Sequence, residues 1–405
     1  MSELIIKLKQ HTPIIHFQHY QEGATLRASE LKPKLDKFLI EKLRDLNTDY
    51  KKFLIGNEKH LALNYKIKIL STNNKIENID ERFPFFFGNM GIKNSNITRI
   101  KKFIFTSEPI ILRFFSFDNE LIDKINTFLP EFFALENFGS RQNKGFGSFY
   151  INTENKNYQE LNESLFDYKF TISTNGMNNK FFELFYQLDL FYRALRPGIN
   201  LKDRLGNTKF YFKSLLFLYF KNHGVQWEKK TIKDNFFVSQ LRNQINKHYN
   251  SDVRTYSSDN KKLVKDLMGL STKEDWKFYQ SSITKTEAKQ DINGRWVKKN
   301  NDEEQIERFK SPIFFKVIQC SNNSNLYKIY IRLNEDIPIR GKWFIIEEIH
   351  GKNFPLQIPE HFSIKEFFKF IIDKSKFNIS KHVDQKFQSC KEYNYLKNIF
   401  ENLQN

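Results

Sequence analysis

A glycine-rich stretch, FGSRQNKGFGSFY at residues 138–150, constrains this chain more than any other segment. Three of the chain's 15 glycines lie within nine residues there: Gly139, Gly145 and Gly147. Glycine adopts positive φ and lets another group approach the main chain closely. Because Arg141 and Lys144 stand between these glycines, we expect the loop amides to face an anionic ligand, with a strand leaving the loop at Phe146. A glycine-rich hairpin turn is the alternative. The stretch matches neither a Walker A motif nor a GxGxxG fingerprint.

The size and composition indicate a globular protein of two or three domains. The 405 residues are 40% hydrophobic and 16% aromatic, which is enough to build a core. An apolar run long enough to span a membrane is absent from the sequence, and the N-terminus does not resemble a signal peptide. Two cysteines, Cys320 and Cys390, cannot build a cysteine-based zinc site. We therefore expect a cytoplasmic protein with no membrane partner.

The charge balance favours a polyanionic partner. Lysine and arginine total 65 against 47 acidic residues, so the formal net charge is +18. Such an excess attracts nucleic acid, and no lipid-binding signature accompanies it. The chain is also rich in Lys, Asn, Ile and Phe, so codon bias is an alternative source of part of this charge.

A second basic cluster lies near the N-terminus. Apolar residues from Leu31 to Leu43 recur at helical spacing, and Ser29 is a plausible N-cap. Arg27, Lys32 and Lys34 then surround a helix N-terminus, where free N–H groups and the helix dipole favour an anion. A solvated basic helix face explains the same residues equally well.

The order of elements in the first half predicts a particular α+β arrangement. Alternating apolar residues predict strands, and apolar stripes predict helices after residues 29 and 119. The predicted order is strand 3–9, a helix, strand 61–70, strand or strands at 103–117, a helix, and the strand after the glycine-rich loop. This is the βαββαβ order of a ferredoxin-like domain.

Three patches resemble the RAMP superfamily of CRISPR effector complexes. They are Thr12-Pro13 with GATLRASELK (23–32), FGSRQNKGFGSF (138–149) and RFKSPIFFKVI (308–318). They are similar to the helix start, the glycine-rich loop and the late "R-x-x-SP" segment of the end subunit of the type III-B Cmr complex. Pro33 departs from that pattern. A divergent Cas-seven-group backbone subunit of another type III complex is the alternative.

The resemblance implies an α+β protein with two ferredoxin-like (RRM-like) RAMP domains. The first domain would span residues 1–155 and carry the loop. The second would span residues 156–405, with a largely helical or irregular insertion at about 178–305. The residues expected to bind RNA are Arg27, Lys32, Lys34, Gly139, Ser140, Arg141, Lys144, Gly145, Phe146, Gly147, Arg308 and Lys310.

The second half offers two weaker candidates for nucleic-acid contact. Arg193, Arg196, Lys202 and Arg204 surround the break at Pro197 and Gly198, where they either contact phosphates or cap helix ends. The segment GRWVKK at 294–299 mixes an aromatic with cations, as base-stacking surfaces do, although a hairpin tip has the same composition.

Catalytic chemistry has one candidate, the group His11, His16 and His19 beside Tyr20. On a regular strand His16 and His19 point to opposite faces, which disfavours a shared metal. RAMP nucleases use histidine for metal-independent RNA cleavage, so a repeat-processing endoribonuclease (Cas6-like) is the second hypothesis.

The leading hypothesis is a non-catalytic RNA-binding subunit of a type III effector, without metal or small-molecule cofactor. Its expected partners are CRISPR RNA, target single-stranded RNA or both, together with other Cas subunits. A scaffold that contacts only neighbouring subunits is the third hypothesis.

Overall fold

The computed structural model divides the chain into two units. One contains Met1–Asp189, Phe314–Arg332 and Asn402–Asn405, and the other contains Leu190–Ile313 and Leu333–Glu401. We call them the first unit and the second unit. The structure describes residues 2–16, 25–56, 61–79, 82–85, 101–156, 158–174, 179–237, 258–276, 279–300 and 302–405.

The strands and helices of the described residues are as follows. The strands are β1 (Ser2–Gln10), β2 (Lys66–Leu70), β3 (Lys75–Ile79), β4 (Lys101–Phe105), β5 (Ile110–Ser116), β6 (Phe149–Ile151), β7 (Tyr168–Ser173), β8 (Ile199–Lys202), β9 (Thr208–Phe212), β10 (Gln226–Trp227), β11 (Lys261–Lys262), β12 (Leu270–Ser271), β13 (Lys273–Trp276), β14 (Ser281–Gln290), β15 (Trp296–Lys298), β16 (Arg308–Phe309), β17 (Ile313–Gln319), β18 (Leu326–Leu333), β19 (Trp343–Glu348) and β20 (Asn353–Gln357). The helices are α1 (Ala28–Asp45), α2 (Asn119–Leu135), α3 (Lys180–Leu195), α4 (Leu215–Asn222), α5 (Glu228–Phe236), α6 (Ile364–Ile372), α7 (Ile379–His382) and α8 (Lys391–Asn402).

A four-stranded sheet in the order β2-β5-β1-β6 organises the first unit. Its neighbouring strands are antiparallel, and β3 pairs with β4 in a separate hairpin. Along the chain the sheet strands and their helices follow the predicted order, β1-α1-β2-β5-α2-β6. The fold is α+β, as predicted.

The two helices cover one face of this sheet. Ile6 and Leu8 of β1 and Phe114 of β5 are buried in one apolar cluster with Leu35 of α1 and Phe132 of α2. Residues between them along the strands point to the opposite face, because strand side chains alternate. That opposite face carries polar residues such as Lys68 and Arg113 together with apolar residues such as Ile5 and Phe115.

Helix α1 begins at Ala28, which precedes Ser29, the residue predicted to cap it. Arg27 is the N-cap, with extended backbone and no side-chain capping bond, so Ser29 lies inside the helix. Pro33 also lies inside α1, where it removes a single backbone donor close to the first turn. The predicted N-cap was wrong because Arg27, and not Ser29, has the extended backbone of a cap.

A three-stranded sheet completes the first unit. Its order is β17-β18-β7, and β18 runs antiparallel to β7. The predicted domain boundary at residue 155 differs from this division, in which β7 and residues 314–332 belong to the first unit.

The second unit contains a larger mixed sheet in the order β10-β11-β20-β19-β14-β13, with β15 paired to β14. The parallel pairs lie at the β10-β11-β20 end, and the other pairs are antiparallel. The segment 178–305, predicted to be largely helical or irregular, contains α3, α4 and α5 together with the strands β8 to β15. Strand β14 was not expected there, because it buries charged residues in ion pairs and lacks an apolar alternation.

A buried ionic cluster joins β14 to its neighbours. The ammonium of Lys285 lies 2.7 Å from the carboxylate of Asp266 and 3.3 Å from that of Glu274. Burial by itself lowers the pKa of Lys285, but the charges of Asp266 and Glu274 outweigh it and leave that pKa raised. Lys285 is therefore a charged residue in the core of the second unit.

None of the helices in the described segments has the length and apolar character needed to cross a membrane.

Candidate nucleic-acid interface

The glycine-rich loop joins α2 to β6 and lies inside the first unit. Within residues 137–150, partial exposure is confined to 141–143, and the residues on either side of these three are buried. The loop is therefore a packed element of the unit, with a short surface segment in its middle.

Gly147 lies where two segments of main chain touch. Its φ is 63°, and a Cβ at this position would overlap the carbonyl group of Phe138. The Gly147 amide donates to the carbonyl of Pro13 at 2.9 Å, and its carbonyl accepts from the amide of Phe138 at 2.9 Å. Glycine is required here by close main-chain packing.

Gly139 makes a similar approach at the other end of the loop. Its φ is 76°, and an added Cβ would lie 2.6 Å from the carbonyl oxygen of Ile15. Its amide donates to the carboxylate of Glu30 at 2.6 Å. The neighbouring Ser140 amide donates to the carbonyl of Ile15, also at 2.6 Å.

Gly145 packs against β17. A Cβ here would lie 2.6 Å from a side-chain methyl of Val317, and the Gly145 amide donates to the carbonyl of Gln142 at 3.1 Å. Its neighbour Phe146 is buried and stacks on Phe185, with ring centroids 3.7 Å apart.

The predicted role of the glycine amides as phosphate donors is wrong. The amides of Gly139, Gly145 and Gly147 already donate to acceptors within the first unit, and the three residues are buried. Buried Ser140 and Phe146 are likewise part of the packing. The sequence signal was real, but the group that approaches the main chain is another segment of the same protein.

The three patches that resemble one superfamily meet at this loop. The Thr12 hydroxyl donates to the carbonyl of Gly145 at 2.7 Å and accepts from the amide of Ser148 at 2.9 Å. The Ser148 hydroxyl donates to the carbonyl of Val317 at 2.7 Å. Sequence reasoning missed Thr12 and Ser148 as loop anchors, although both lie inside the quoted patches.

Lys32 and Lys34 use their ammonium groups inside the first unit. Lys34 donates to the carbonyl of Asn137 and to the side-chain oxygen of Gln142, both at 2.8 Å. Lys32 donates to the carboxylate of Asp36 at 2.8 Å and to the carbonyl of Leu63 at 2.9 Å. These two lysines attach α1 to neighbouring segments, so the structure shows a supporting role for both.

Lys316 in β17 is a further buried lysine beside the loop that the sequence did not reveal. Its buried ammonium donates to the carbonyls of Glu136 and Phe149 at 2.9 Å and to the side-chain oxygen of Asn137 at 3.2 Å. Burial, together with the charge of Lys34, lowers the pKa of Lys316 well below that of an exposed lysine, and the charge of Glu136 opposes this only in part. It anchors the end of α2 and the beginning of the loop.

Arg27 and Arg141 keep partial exposure beside the loop. Arg141 has a φ of 62° and opens the short surface segment, whereas Arg27 immediately precedes α1. Lys144 is buried, and its ammonium lies 5.8 Å from the ring centroid of Phe85. Of the three cations, the two arginines have access to solvent.

The second-half candidates all belong to the second unit. Arg308 and Lys310 are exposed, with Arg308 on the short strand β16. Arg196 donates to the carbonyl of Gly269 at 2.6 Å, a structural contact. Trp296 stacks on Trp343 with ring centroids 4.4 Å apart.

Two members of the histidine group, His11 and His16, are buried. His11 is buried and accepts a hydrogen bond at Nδ1 from the amide of Gln319 at 3.0 Å. Burial, with the charges of Lys9 and Lys316, lowers the pKa of His11 well below its usual value. His16 is buried too, and His19 and Tyr20 lie outside the described residues.

A metal-binding cluster of three or more His, Cys, Asp or Glu side chains is not found in the part of the chain that the structure describes. Both cysteines are free thiols.

Comparison with known proteins gives two family models that match the chain. The model described as the Cmr1 N-terminal domain matches residues 1–199, and the model described as the Cmr1 C-terminal domain matches residues 211–405. Because they span nearly the whole sequence, they identify a subunit of a type III-B CRISPR effector. The chain belongs to the Cmr1 family, which confirms the RAMP resemblance.

Two further comparisons add little. No curated protein matches the chain. One similar solved structure is a chain of "Cryo-EM structure of the Type III-B Cmr-beta bound to cognate target RNA", 15% identical, with a TM-score of 0.27. That match covers 37% of this chain and 58% of the other, so it does not define the fold.

Proposed function

We propose that this chain is an RNA-binding subunit at one end of a type III-B CRISPR effector ribonucleoprotein. It would hold guide RNA, target RNA or both, contact other Cas subunits, and work in the cytoplasm in antiviral defence. The match of both Cmr1 domains carries this proposal. The net charge of +18 supports it, because phosphate contacts supply affinity that is independent of sequence. Base pairing would then supply specificity.

The fold supports a RAMP assignment most fully in the first unit. The order β2-β5-β1-β6, with α1 and α2 on one face, supports a ferredoxin-like βαββαβ domain. The sheet β17-β18-β7 with α3 supports a second domain of this type in part, since it contributes three strands.

We also propose that the chain binds RNA without cleaving it. An acid and a base must converge on one phosphate for metal-independent cleavage. His11 is held neutral in the core, where its Nδ1 accepts from a main-chain amide. Arg27 and Arg141 are the partly exposed cations that would contact phosphates near the loop.

Titration with single-stranded RNA at several salt concentrations tests the proposal. The logarithm of the affinity should fall steeply with the logarithm of the salt concentration, and Arg141→Ala should make that slope shallower by about one. Lys37→Ala, which removes an exposed charge from α1, is the matched control.

Failure of RNA binding in both the isolated chain and the assembled complex would favour a scaffold instead. If the RNA affinity of Arg141→Ala has the same salt dependence as that of the wild-type protein, Arg141 is not part of the RNA interface. Specific cleavage of repeat RNA in EDTA, lost in His16→Ala, would favour the endoribonuclease.

A further inference from the structure

We propose that the face of the four-stranded sheet opposite α1 and α2 binds single-stranded RNA, with bases on its apolar side chains and phosphates along β2. This inference rests on the proposed RNA binding and adds a second contact surface to the phosphate contacts proposed for Arg27 and Arg141. We call this surface the open sheet face. Its central residues are Ile5, Lys66, Lys68, Ile111, Arg113 and Phe115.

The strand register places these residues side by side. Lys68 of β2 lies opposite Arg113 of β5, which lies opposite Ile5 of β1. Residues directly opposite each other in an antiparallel sheet share a face. The next row on this face is Lys66 beside Phe115, so cations on the edge strand flank apolar residues on the central strands.

Several apolar side chains on and beside the open sheet face are exposed to solvent. Ile5 is 49% exposed and Leu70 on β2 is 38% exposed. Phe117, which follows β5 directly, is 86% exposed. Apolar side chains left in water on one surface indicate that the surface binds a partner. Phe115 and Phe117 supply rings on which unpaired bases can stack.

The charge of this surface selects a polyanion as the occupant. Lys66 and Lys68 are exposed, and Arg113 keeps 42% of its side chain exposed. The opposing acid is Glu3, whose carboxylate lies 3.7 Å from the guanidinium of Arg113. A row of cations beside apolar and aromatic groups suits a single strand, whose bases and phosphates are both accessible. A duplex would hide its bases.

The Glu3→Gln variant provides a test that removal of a cation does not, because it is expected to strengthen RNA binding. Since Glu3 competes with phosphate for Arg113, Glu3→Gln should bind single-stranded RNA about two- to threefold more tightly. Phe117→Ala should weaken binding about tenfold, because it removes a stacking ring. Lys68→Ala should reduce the salt slope by about one, whereas Lys37→Ala on α1 should give the general charge effect alone.

The experiment uses the full chain and an oligouridylate that contains 4-thiouridine. We expect ultraviolet cross-links to peptides that include residues 110–118. We also expect tighter binding by Glu3→Gln, weaker binding by Phe117→Ala and a smaller salt slope for Lys68→Ala. Equal unfolding midpoints for Phe117→Ala and Lys37→Ala would exclude misfolding, since both side chains are exposed.

Three outcomes separate the possible failures. If wild-type protein binds no RNA, alone or in the complex, the proposed function fails and this inference with it. If wild-type protein binds RNA but the variants are unchanged and the cross-links lie elsewhere, the open sheet face alone is excluded. If the variants impair subunit assembly and leave RNA affinity intact, the face is a protein interface and the inference is overturned.

Discussion

At the scale of single residues, the glycine-rich loop shows how one sequence signal fits two physical causes. Positive φ at Gly139 and Gly147 is compatible with a phosphate site and with tight packing of one protein segment on another. The amide acceptors decide between them. They are the carboxylate of Glu30 and the carbonyl of Pro13, both more than a hundred residues earlier in the chain.

This packing predicts a large difference between two glycine variants. Gly56 has a φ of 75° and open space where a Cβ would be, so Gly56→Ala should cost about 1–2 kcal/mol of unfolding free energy for its backbone conformation alone. Gly147→Ala should cost several kcal/mol, since its Cβ would also overlap the carbonyl of Phe138. Urea denaturation followed by circular dichroism measures both. Equal losses would show that close packing at Gly147 contributes nothing.

At the scale of elements, strand β14 is held by buried charge as well as by apolar packing. Lys285 and Asp266 each expose 1% of their side chains, so each charge depends on the other. Removal of one partner from such a pair leaves the other charge buried, with neither a partner nor water to stabilise it. The polar sequence SSITKTEAKQ therefore forms a central strand of the second unit.

A double-mutant cycle tests this dependence. Lys285→Met should destabilise the protein by about 3–5 kcal/mol, because the Asp266 carboxylate stays buried without its main partner. Adding Asp266→Leu should restore part of that loss, since no unpaired charge then remains at this position. Thermal unfolding of the two single variants and the double variant gives the coupling energy. If the free-energy losses of the two single variants simply add in the double variant, Lys285 and Asp266 are not energetically coupled.

At the scale of the whole molecule, the first unit is discontinuous in sequence. Residues 314–332 supply Val317 beside Gly145, Lys316 beneath the loop and strand β18 beside β7. The Cmr1 N-terminal domain model ends at residue 199, so it leaves these groups out. A fragment cut at that boundary would expose the loop's packing surface.

We therefore expect fragment 1–199 to unfold without a cooperative transition. The same fragment joined by a flexible linker to residues 312–334 should unfold cooperatively, because β17 and β18 are then available. Urea titration of both proteins provides the comparison. Cooperative unfolding of the shorter fragment at the same urea concentration would show that the late segment adds no stability.

The sequence alone determined the elements whose signal is local. Apolar periodicity placed α1, α2 and the order β1-α1-β2-β5-α2-β6, since the helix and strand periods differ. Glycine spacing marked the loop as a place of close approach. Motif likeness identified the family, and the matching domain models confirm it.

Only the tertiary structure decided which groups meet. Sequence spacing could not show that Glu30, Pro13 and Val317 converge on the loop, because their contacts span many residues of chain. Nor could it show that Lys285 is buried, since a lysine next to alternating polar residues is usually solvated. Long-range contacts pair Lys285 with Asp266 and the loop amides with their acceptors, and a linear sequence does not record these partners.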